Sequence, residues 1–287
     1  MDVIETVRVL DQQGAAYPIF IPDGRSGYES LEIVSAILGQ TKSVHAGSGV
    51  IRVTEHDPLM LARRLQTMQA FSSNRCFLGV GTGSPGPRPA GAIDSMLKRL
   101  DELGRSFSQF PVGVEPPEVW VAALRLGISR RSMTSADGLL LNFCTPQHVS
   151  RLIEGLGAKR PKELGFACYL KLFYSAKNNH GAKRLLVQEF LNYDSMPQYH
   201  QMFEQDGTAE ALVSFKETEE WKSRDFEVPK KLLRVSLANP QGDELTNYVE
   251  SFRQAGVGLP VIYPYFPEGE ERAFKLETVK RVIESVG

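Results

Sequence analysis

Apolar positions along the chain follow two periods, one typical of helices and one typical of buried strands. Residues 4–13 carry apolar positions at helical spacing and end at Gly14, a favourable residue just past a helix. The apolar run 16–21 then closes in a Pro-Asp-Gly turn, which predicts a short strand. The same reading predicts further strands over residues 43–51, 76–80, 118–123, 137–143, 164–173 and 260–263, with helices between them.

This alternation of strands and helices predicts a parallel sheet, because a right-handed crossover places one helix between successive parallel strands. With about seven strands the count favours a barrel, and an open doubly wound sheet is the structural alternative. Residues 179–231 interrupt the alternation with a long, mostly helical stretch. We expect one domain over residues 1–287, with that stretch as an insertion.

Charge and composition exclude several classes of partner. The chain has 287 residues, 33 Lys+Arg against 34 Asp+Glu and a net charge of −1, so it lacks the basic surface expected of a nucleic-acid binder. No apolar run approaches the ~20 residues of a membrane-spanning helix, and the N-terminus does not resemble a secretory signal. We therefore expect a cytoplasmic protein without a membrane partner.

The cysteines, histidines, acids and serines of the chain do not show the spacing that metal sites or hydrolases require. The three cysteines, Cys76, Cys144 and Cys168, are widely spaced and odd in number, which favours reduced thiols in the core. No His/Glu cluster has metal-ligand spacing, so we expect no metal site. The sequence has no Gly-x-Ser-x-Gly elbow and no P-loop, and no Gly-x-Gly-x-x-Gly fingerprint follows the first predicted strand.

Residues 56–83 carry the most specific pattern. Leu61-Ala62 lies on a predicted helix, Ser73-Asn74-Arg75 forms a turn, and residues 78–83 read Leu-Gly-Val-Gly-Thr-Gly. This segment resembles the signature of the luciferase-like monooxygenase superfamily, with Asn74 where glycine is usual. Matching stretches elsewhere, including Asp23 and residues 47–50, 119–123, 136–138 and 196–203, occur in the order of that family.

The resemblance implies a (β/α)8 TIM barrel that lacks the family's first strand and carries a helical insertion after the seventh. Residues 49–50 and 78–83 look most like the branch that uses coenzyme F420, which implies hydride transfer to or from a small organic substrate. An FMN-dependent monooxygenase is the alternative, and a catalytically degenerate cofactor-binding protein is a third possibility. Homodimers are usual in this family, so we expect one here.

In such barrels the site lies at the carboxyl ends of the strands. The resemblance further implies a bulge with a non-prolyl cis peptide at Gly49–Val50, against which the cofactor ring would rest. Arginines at these strand ends suit a cofactor phosphate. The cofactor-binding residues expected from the sequence are Asp23, Gly49, Val50, Ile51, Arg52, Gly81, Thr82, Gly83, Ala123 and Arg125.

Three departures from the family leave the catalytic residues unassigned. No apolar strand precedes the first helix, for which a start placed too far downstream is one explanation. Gly24 stands where the family has a histidine, and Ser84 stands where a sugar-phosphate-oxidising relative has a glutamate. His56 and Ser84 are the candidates that remain, because both follow strands that reach the expected site.

Overall fold

A computed structural model describes residues 2–14, 18–24, 27–83, 90–110, 114–177, 179–218, 220–223 and 226–286. These residues group into two compact units. The described residues within 2–83, 90–140 and 159–165 form the first, and those within 141–158 and 166–286 form the second. Whether the chain is one domain, as the sequence suggests, remains a prediction.

The first unit alternates helices and strands from its first described residue. A helix precedes the first strand, as the sequence predicts. The elements are α1 (Asp2–Gln12), β1 (Ile19–Ile21), α2 (Ser30–Gln40), β2 (Ala46–Ser48), β3 (Ile51–Arg52), α3 (Pro58–Ser72), β4 (Cys76–Gly81), α4 (Ala92–Phe107), β5 (Glu118–Ala122), α5 (Leu126–Ser132) and β6 (Gly138–Asn142), whose first three residues belong to this unit.

The strands of the first unit are parallel and lie side by side in the order in which they occur along the chain. The order is β1, β2, β4, β5, β6, and β3 continues beside β4 where β2 ends. A doubly wound sheet reverses its strand order at a switch point. The uninterrupted order therefore disfavours that alternative and agrees with a barrel-type winding.

Arg75 ties the ends of α2 and α3 together. Its side chain is 9% exposed, and its guanidinium donates to the main-chain carbonyls of Leu38, Thr41, Val44 and Ser72 at 2.6–2.9 Å. Helix α3 ends in two left-handed residues, including Asn74 at φ 62°, which an asparagine tolerates better than most residues. The predicted turn therefore contains a buried cation that satisfies the carbonyls left over at two helix ends.

The second unit contains the helical insertion and the last strands. Its elements are α6 (Pro146–Leu156), β7 (Gly165–Phe173, which begins in the first unit), α7 (Asn179–Asp194), α8 (Pro197–Gln205), α9 (Thr208–Thr218), α10 (Lys230–Leu233), β8 (Leu237–Ala238), α11 (Asp243–Gln254), β9 (Leu259–Tyr265) and α12 (Arg272–Val286). Helices α7 to α10 fill the region predicted as an insertion. The pattern did not predict β8, because a strand of two residues has no periodicity.

In the second unit β8 and β9 flank β7, and both run parallel to it. The carbonyl of Phe173 accepts from the Asn239 N–H at 2.7 Å, whereas the N–H of the next residue, Tyr174, donates to the Tyr265 carbonyl at 2.8 Å. Main-chain groups of consecutive strand residues point to opposite edges, so the two strands lie on opposite sides of β7. This order differs from the chain order that the first unit follows.

One charged side chain lies inside the strand that the sequence marks as apolar. The Lys171 side chain is 4% exposed, with its ammonium 2.5 Å from the Glu189 carboxylate and 3.0 Å from the Tyr265 hydroxyl. It also lies 3.9 Å from the centre of the Tyr193 ring. A buried lysine is stable only when paired in this way.

The three cysteines are buried and free, as the sequence predicts. Burial raises the pKa of the Cys76 thiol to about 12. A protonated, enclosed thiol packs as a small apolar side chain.

Candidate functional site

A bulge of one residue separates the carboxyl end of β2 from the start of β3. Gly47 pairs with Phe77 and Ile51 pairs with Val80 on β4, so three residues on the bulged side face two on β4. Such a bulge bends the strand and re-aims the side chains beside it. The bulged segment is Ser48–Gly49–Val50.

Ser48 holds the bulge in place. Its side chain is fully buried, and its hydroxyl donates to the Gly79 carbonyl at 2.8 Å and accepts from the Gly79 N–H at 3.1 Å. On the other edge, the Gly49 N–H donates to the Ile21 carbonyl at 2.7 Å. The hydroxyl thus supplies to β4 the hydrogen bonds that the interrupted strand pairing cannot.

Val50 packs against the glycines of β4. A Cβ at Gly81 would lie 2.8 Å from Val50 Cγ2, and a Cβ at Gly79 would lie 3.0 Å from Val50 Cγ1 and 2.1 Å from the Ser48 carbonyl oxygen. Only glycine therefore allows this close approach of bulge and strand. Because Gly49 and Val50 are half-buried, one side of the bulge remains accessible.

The Gly49–Val50 peptide bond is cis. The geometry that the sequence resemblance implies for these two residues is therefore confirmed.

Arg52 is already paired with carboxylates. Its guanidinium lies 3.5 Å from the Asp23 carboxylate and 2.8 Å from the Glu55 carboxylate. The Arg52 and Asp23 side chains are 14% and 13% exposed, and Asp23 also accepts from the Ser30 N–H at 3.4 Å. Asp23 and Arg52 thus form a local ion pair at the ends of β1 and β3.

The aliphatic part of Arg52 lies against the turn after β4. Gly83 has φ +85°, and a Cβ there would lie 2.6 Å from Arg52 Cδ. Thr82 and Gly83 are half-buried, so this turn is accessible beside the bulge. The structure therefore brings together at neighbouring strand ends a set of residues that the sequence predicted for the site, namely Asp23, Gly49, Val50, Arg52, Gly81, Thr82 and Gly83.

The remaining predicted binding residues have different surroundings. Ile51 and Ala123 are buried, at 0% and 1% exposure, and so contribute packing. Arg125 is exposed at the start of α5. The cofactor roles of these three residues stay predictions.

Of the two catalytic candidates, the structure describes His56, which does not join this set. His56 lines a surface pocket of about 340 Å³ formed with α3 residues, including Met60, Arg63 and Thr67. Ser84 lies outside the described residues. Within the described part of the chain, no group of His, Cys, Asp or Glu side chains could hold a metal ion, and no helix is long and apolar enough to cross a membrane.

Sequence reasoning missed the role of Ser48 and the packing of Ala122. Ala122 Cβ would lie 3.4 Å from a Cβ at Gly81, so the space around Gly81 is limited from β5 as well. In the sequence, the one indication of a role for Ser48 is that a hydroxyl-bearing residue lies between two glycines at the end of a predicted strand. Its partner Gly79 is 31 residues away, beyond the range of local pattern analysis.

The sequence comparisons agree with this arrangement of the first unit. Residues 2–105 match the luciferase-like monooxygenase family. The resemblance stated from the motifs is therefore confirmed, and the matched stretch contains the bulge, the glycines of β4 and the Asp23–Arg52 pair. No curated protein sequence matches the chain.

Solved structures match the chain over nearly its whole length. An F420-dependent secondary alcohol dehydrogenase in complex with an F420-acetone adduct has a TM-score of 0.72 at 13% identity, covering 100% of this chain and 95% of that one. The coenzyme F420-dependent tetrahydromethanopterin reductase from Methanopyrus kandleri gives 0.68 at 14% identity, covering 99% and 94%.

A flavin enzyme has a comparable likeness. The oxygenating constituent of 3,6-diketocamphane monooxygenase from Pseudomonas putida, in complex with FMN, gives 0.66 at 15% identity, covering 99% of this chain and 91% of that one. At these identities the likenesses establish the fold. The predicted α/β barrel class is therefore confirmed.

Proposed function

We propose that this chain is an oxidoreductase that binds coenzyme F420 at the bulge after β2 and transfers a hydride to or from a small organic substrate. The observation that carries the proposal is the contact of Val50 with Gly79 and Gly81. This contact makes an apolar, backbone-lined wall at the carboxyl ends of neighbouring strands, where barrel enzymes bind their cofactors. Support also comes from the match of residues 2–105 to the luciferase-like monooxygenase family.

The residues present fit a flat ring system. Side chains are missing at 79, 81 and 83, and a Cβ at 81 or 83 would collide with Val50 or Arg52. The Val50 side chain therefore covers the buried Gly79 and Gly81, and the surfaces left for the ring are the apolar, half-buried Val50 and the half-buried turn at residues 82 and 83. Ser48 and Gly49 fix the bulge from both neighbouring strands, which orients that surface in advance.

Coenzyme F420, when bound, supplies the hydride chemistry, and the protein binds and orients it. In this proposal Val50 presents one face to the ring, and the 82–83 turn offers main-chain donors to its polar edge. Asp23 and Arg52 hold the strand ends that carry both features. Asp23 has the Arg52 guanidinium and the Ser30 N–H as partners, so we assign it an anchoring role.

Equilibrium titration of the purified chain with F420 and with FMN tests the proposal. We expect F420 to bind with a micromolar dissociation constant and FMN more weakly. Val50→Asp places a charge on the proposed wall and should weaken F420 binding by at least tenfold. Val213→Asp is the matched control, because Val213 is 46% exposed on α9 and should tolerate the same change.

The outcomes separate the competing functions. Tighter binding of FMN would favour the monooxygenase alternative, to which the likeness to the FMN-bound constituent also points. Tight F420 binding with no hydride transfer to any alcohol, aldehyde or imine in a substrate panel would favour a degenerate cofactor-binding protein. If neither cofactor binds, the proposal is wrong.

We also propose a cytoplasmic homodimer. Helix α3 exposes Met60 at 58% and Phe71 at 48%, three turns apart on one face, and exposed large apolar side chains favour association. Sedimentation at micromolar concentration should give twice the chain mass of 31.9 kDa. Met60→Lys should shift the equilibrium towards monomer, and a monomeric native protein would contradict the proposal.

A further inference from the structure

The second unit contains a polar cavity of about 410 Å³ that the proposed cofactor site does not use. Its lining comes from the segments that follow three parallel strands. Ser175 and Asn179 come after β7, Asn239 and Gln241 come after β8, and Arg281 lies on α12, which follows β9. Ligands of α/β proteins bind at the carboxyl ends of parallel strands, so the location alone makes the cavity worth testing.

The floor of this cavity is fixed by main-chain hydrogen bonds. Asn239 adopts φ 46°, and its N–H donates to the Phe173 carbonyl at 2.7 Å. Its side-chain Oδ1 accepts from the Ser175 N–H at 2.9 Å, and its Nδ2 donates to the Ser175 carbonyl at 3.3 Å. One asparagine thus joins the loops after β7 and β8, and the cavity needs little ordering to receive a ligand.

Hydrogen-bond donors around the cavity are unused. In the described part of the chain the Arg281 guanidinium has no carboxylate partner, and the side chains of Asn179 and Gln241 have no hydrogen-bond partner. None of the described lining residues is acidic. The Glu270 carboxylate accepts from the N–H of the lining residue Ala176 at 3.1 Å and so has a main-chain partner.

An unpartnered hydroxyl lies close to this cation. Tyr174 is 1% exposed, and its hydroxyl has no hydrogen-bond partner among the described residues. Burial raises the pKa of Tyr174; the Arg281 guanidinium partly opposes that rise, and the Glu244 carboxylate adds to it. The phenol that directly precedes the cavity residue Ser175 thus lies in the field of both charges.

The apolar wall of the cavity is an aromatic ring held by its neighbours. Phe274 lines the cavity and meets Phe266 edge to face, with ring centres 6.1 Å apart. Phe266 in turn stacks on Tyr174 with centres 6.0 Å apart. The cavity thus offers a cation, amide donors and one fixed aromatic surface.

We propose that this cavity binds the oxyanion group of a small organic molecule, a carboxylate or a phosphate, with Arg281 as its counter-ion. The planar guanidinium fork suits two oxygens of either group. Asn179 and Gln241 donate to the remaining oxygens, and Phe274 receives the apolar part of the ligand. This site does not rest on the proposed function, because the cavity and its donors are independent of any cofactor.

Isothermal titration of the cofactor-free chain at low ionic strength tests the site. The probes are inorganic phosphate, benzoate and benzamide, the last being a neutral analogue of benzoate. We expect phosphate or benzoate to bind and benzamide to bind at least tenfold more weakly than benzoate. Binding of phosphate alone would assign phosphate esters as the ligand class, and binding of benzoate alone would assign carboxylates.

Four variants on helix α12 distinguish binding at this cavity from a general effect of the protein's charge. Arg281→Gln should lower the affinity at least tenfold, and Arg281→Lys should restore part of it. Lys280→Gln removes the same charge from the adjacent position of α12, which does not line the cavity, and should leave the affinity unchanged. Phe274→Leu should weaken benzoate more than phosphate.

Three outcomes would overturn the inference. They are the absence of binding to both anions, an Arg281→Gln protein that binds as the native chain does, and an equal loss in Lys280→Gln. Because Arg281 is exposed, its variants should fold, and circular dichroism verifies this. F420 titration of the same variants is independent, so failure of this site and failure of the proposed function are distinguishable.

Discussion

Replacing Gly81 by alanine tests the contact on which the proposed function depends. The added Cβ would lie 2.8 Å from Val50 Cγ2 and 3.4 Å from Ala122 Cβ. An unstrained carbon–carbon contact is about 3.5–4.0 Å, so Val50 must move by roughly 0.7 Å or more. Overpacking of this size costs about 1–3 kcal/mol of the free energy of unfolding.

A second substitution isolates the cause. Val50→Ala removes Cγ2, so the alanine at 81 has room when both changes are present. We expect the double variant to be more stable than the sum of the two single effects predicts, by about 1–2 kcal/mol. F420 affinity should fall in both single variants, because each displaces or removes the surface of the proposed wall.

Urea unfolding followed by tryptophan fluorescence measures these effects, since Trp120 lies on β5 of the same unit. Gly104→Ala is the control. A Cβ at Gly104 would meet nothing within 4 Å, and this position lies inside α4, so we expect a gain of about 0.5–1 kcal/mol. Two results would contradict this reasoning. One is a Gly81→Ala variant as stable as the native chain, and the other is a double variant whose loss of stability equals the sum of the Gly81→Ala and Val50→Ala losses. Either would mean that the contact between Val50 and Gly81 does not have the role assigned to it.

Three further predictions concern stability and are measured by urea unfolding. Lys171→Met should destabilise by about 3 kcal/mol because it leaves the Glu189 carboxylate without a cation, with the Tyr265 hydroxyl still donating to it at 2.7 Å, and adding Glu189→Leu should recover most of the loss. Arg75→Lys should cost about 2–4 kcal/mol, since one ammonium cannot reach all the carbonyls that the guanidinium satisfies. Burial alone would raise the pKa of Asp11, but hydrogen bonds from the Ser43 hydroxyl and the main-chain amides of residues 42–44 lower it to about 2, from 3.8. Because the pKa of Asp11 is lower in the folded state, its carboxylate contributes about 1 kcal/mol to the free energy of unfolding. That contribution is complete above pH 4 and falls as the pH approaches 2. Asp11→Asn should remove that pH dependence, and unchanged acid unfolding in this variant would contradict the assignment.

The strands and helices were largely predictable because each is coded by residues close in sequence. The pattern predicted one strand over 43–51, and the structure divides it at Gly49–Val50 into β2 and β3. The glycines indicated where the strand changes, but the one-residue difference in pairing with β4 depends on a segment 30 residues away. Register is a property of two strands, so one strand's pattern cannot supply it.

Buried charges were the least predictable feature. Lys171 lies in an apolar strand, and its partner Glu189 lies 18 residues later on α7. The sequence offered one signal, a lysine between leucines in a run otherwise typical of a fully buried strand. Such a residue requires a partner, but only the fold can identify which acid it is.

The contacts of Arg52 in the structure change the role that the sequence suggests for it. In the sequence it suits a cofactor phosphate, because it follows a strand at the expected edge of the sheet. The structure pairs its guanidinium with Asp23 and Glu55 and lays its aliphatic stem against Gly83. An arginine already facing two carboxylates adds little net positive potential, so its contribution to a bound anion is small. We therefore expect Arg52 to support the turn at Gly83, and we expect the half-buried main-chain groups of residues 82 and 83 to meet the polar edge of the proposed cofactor.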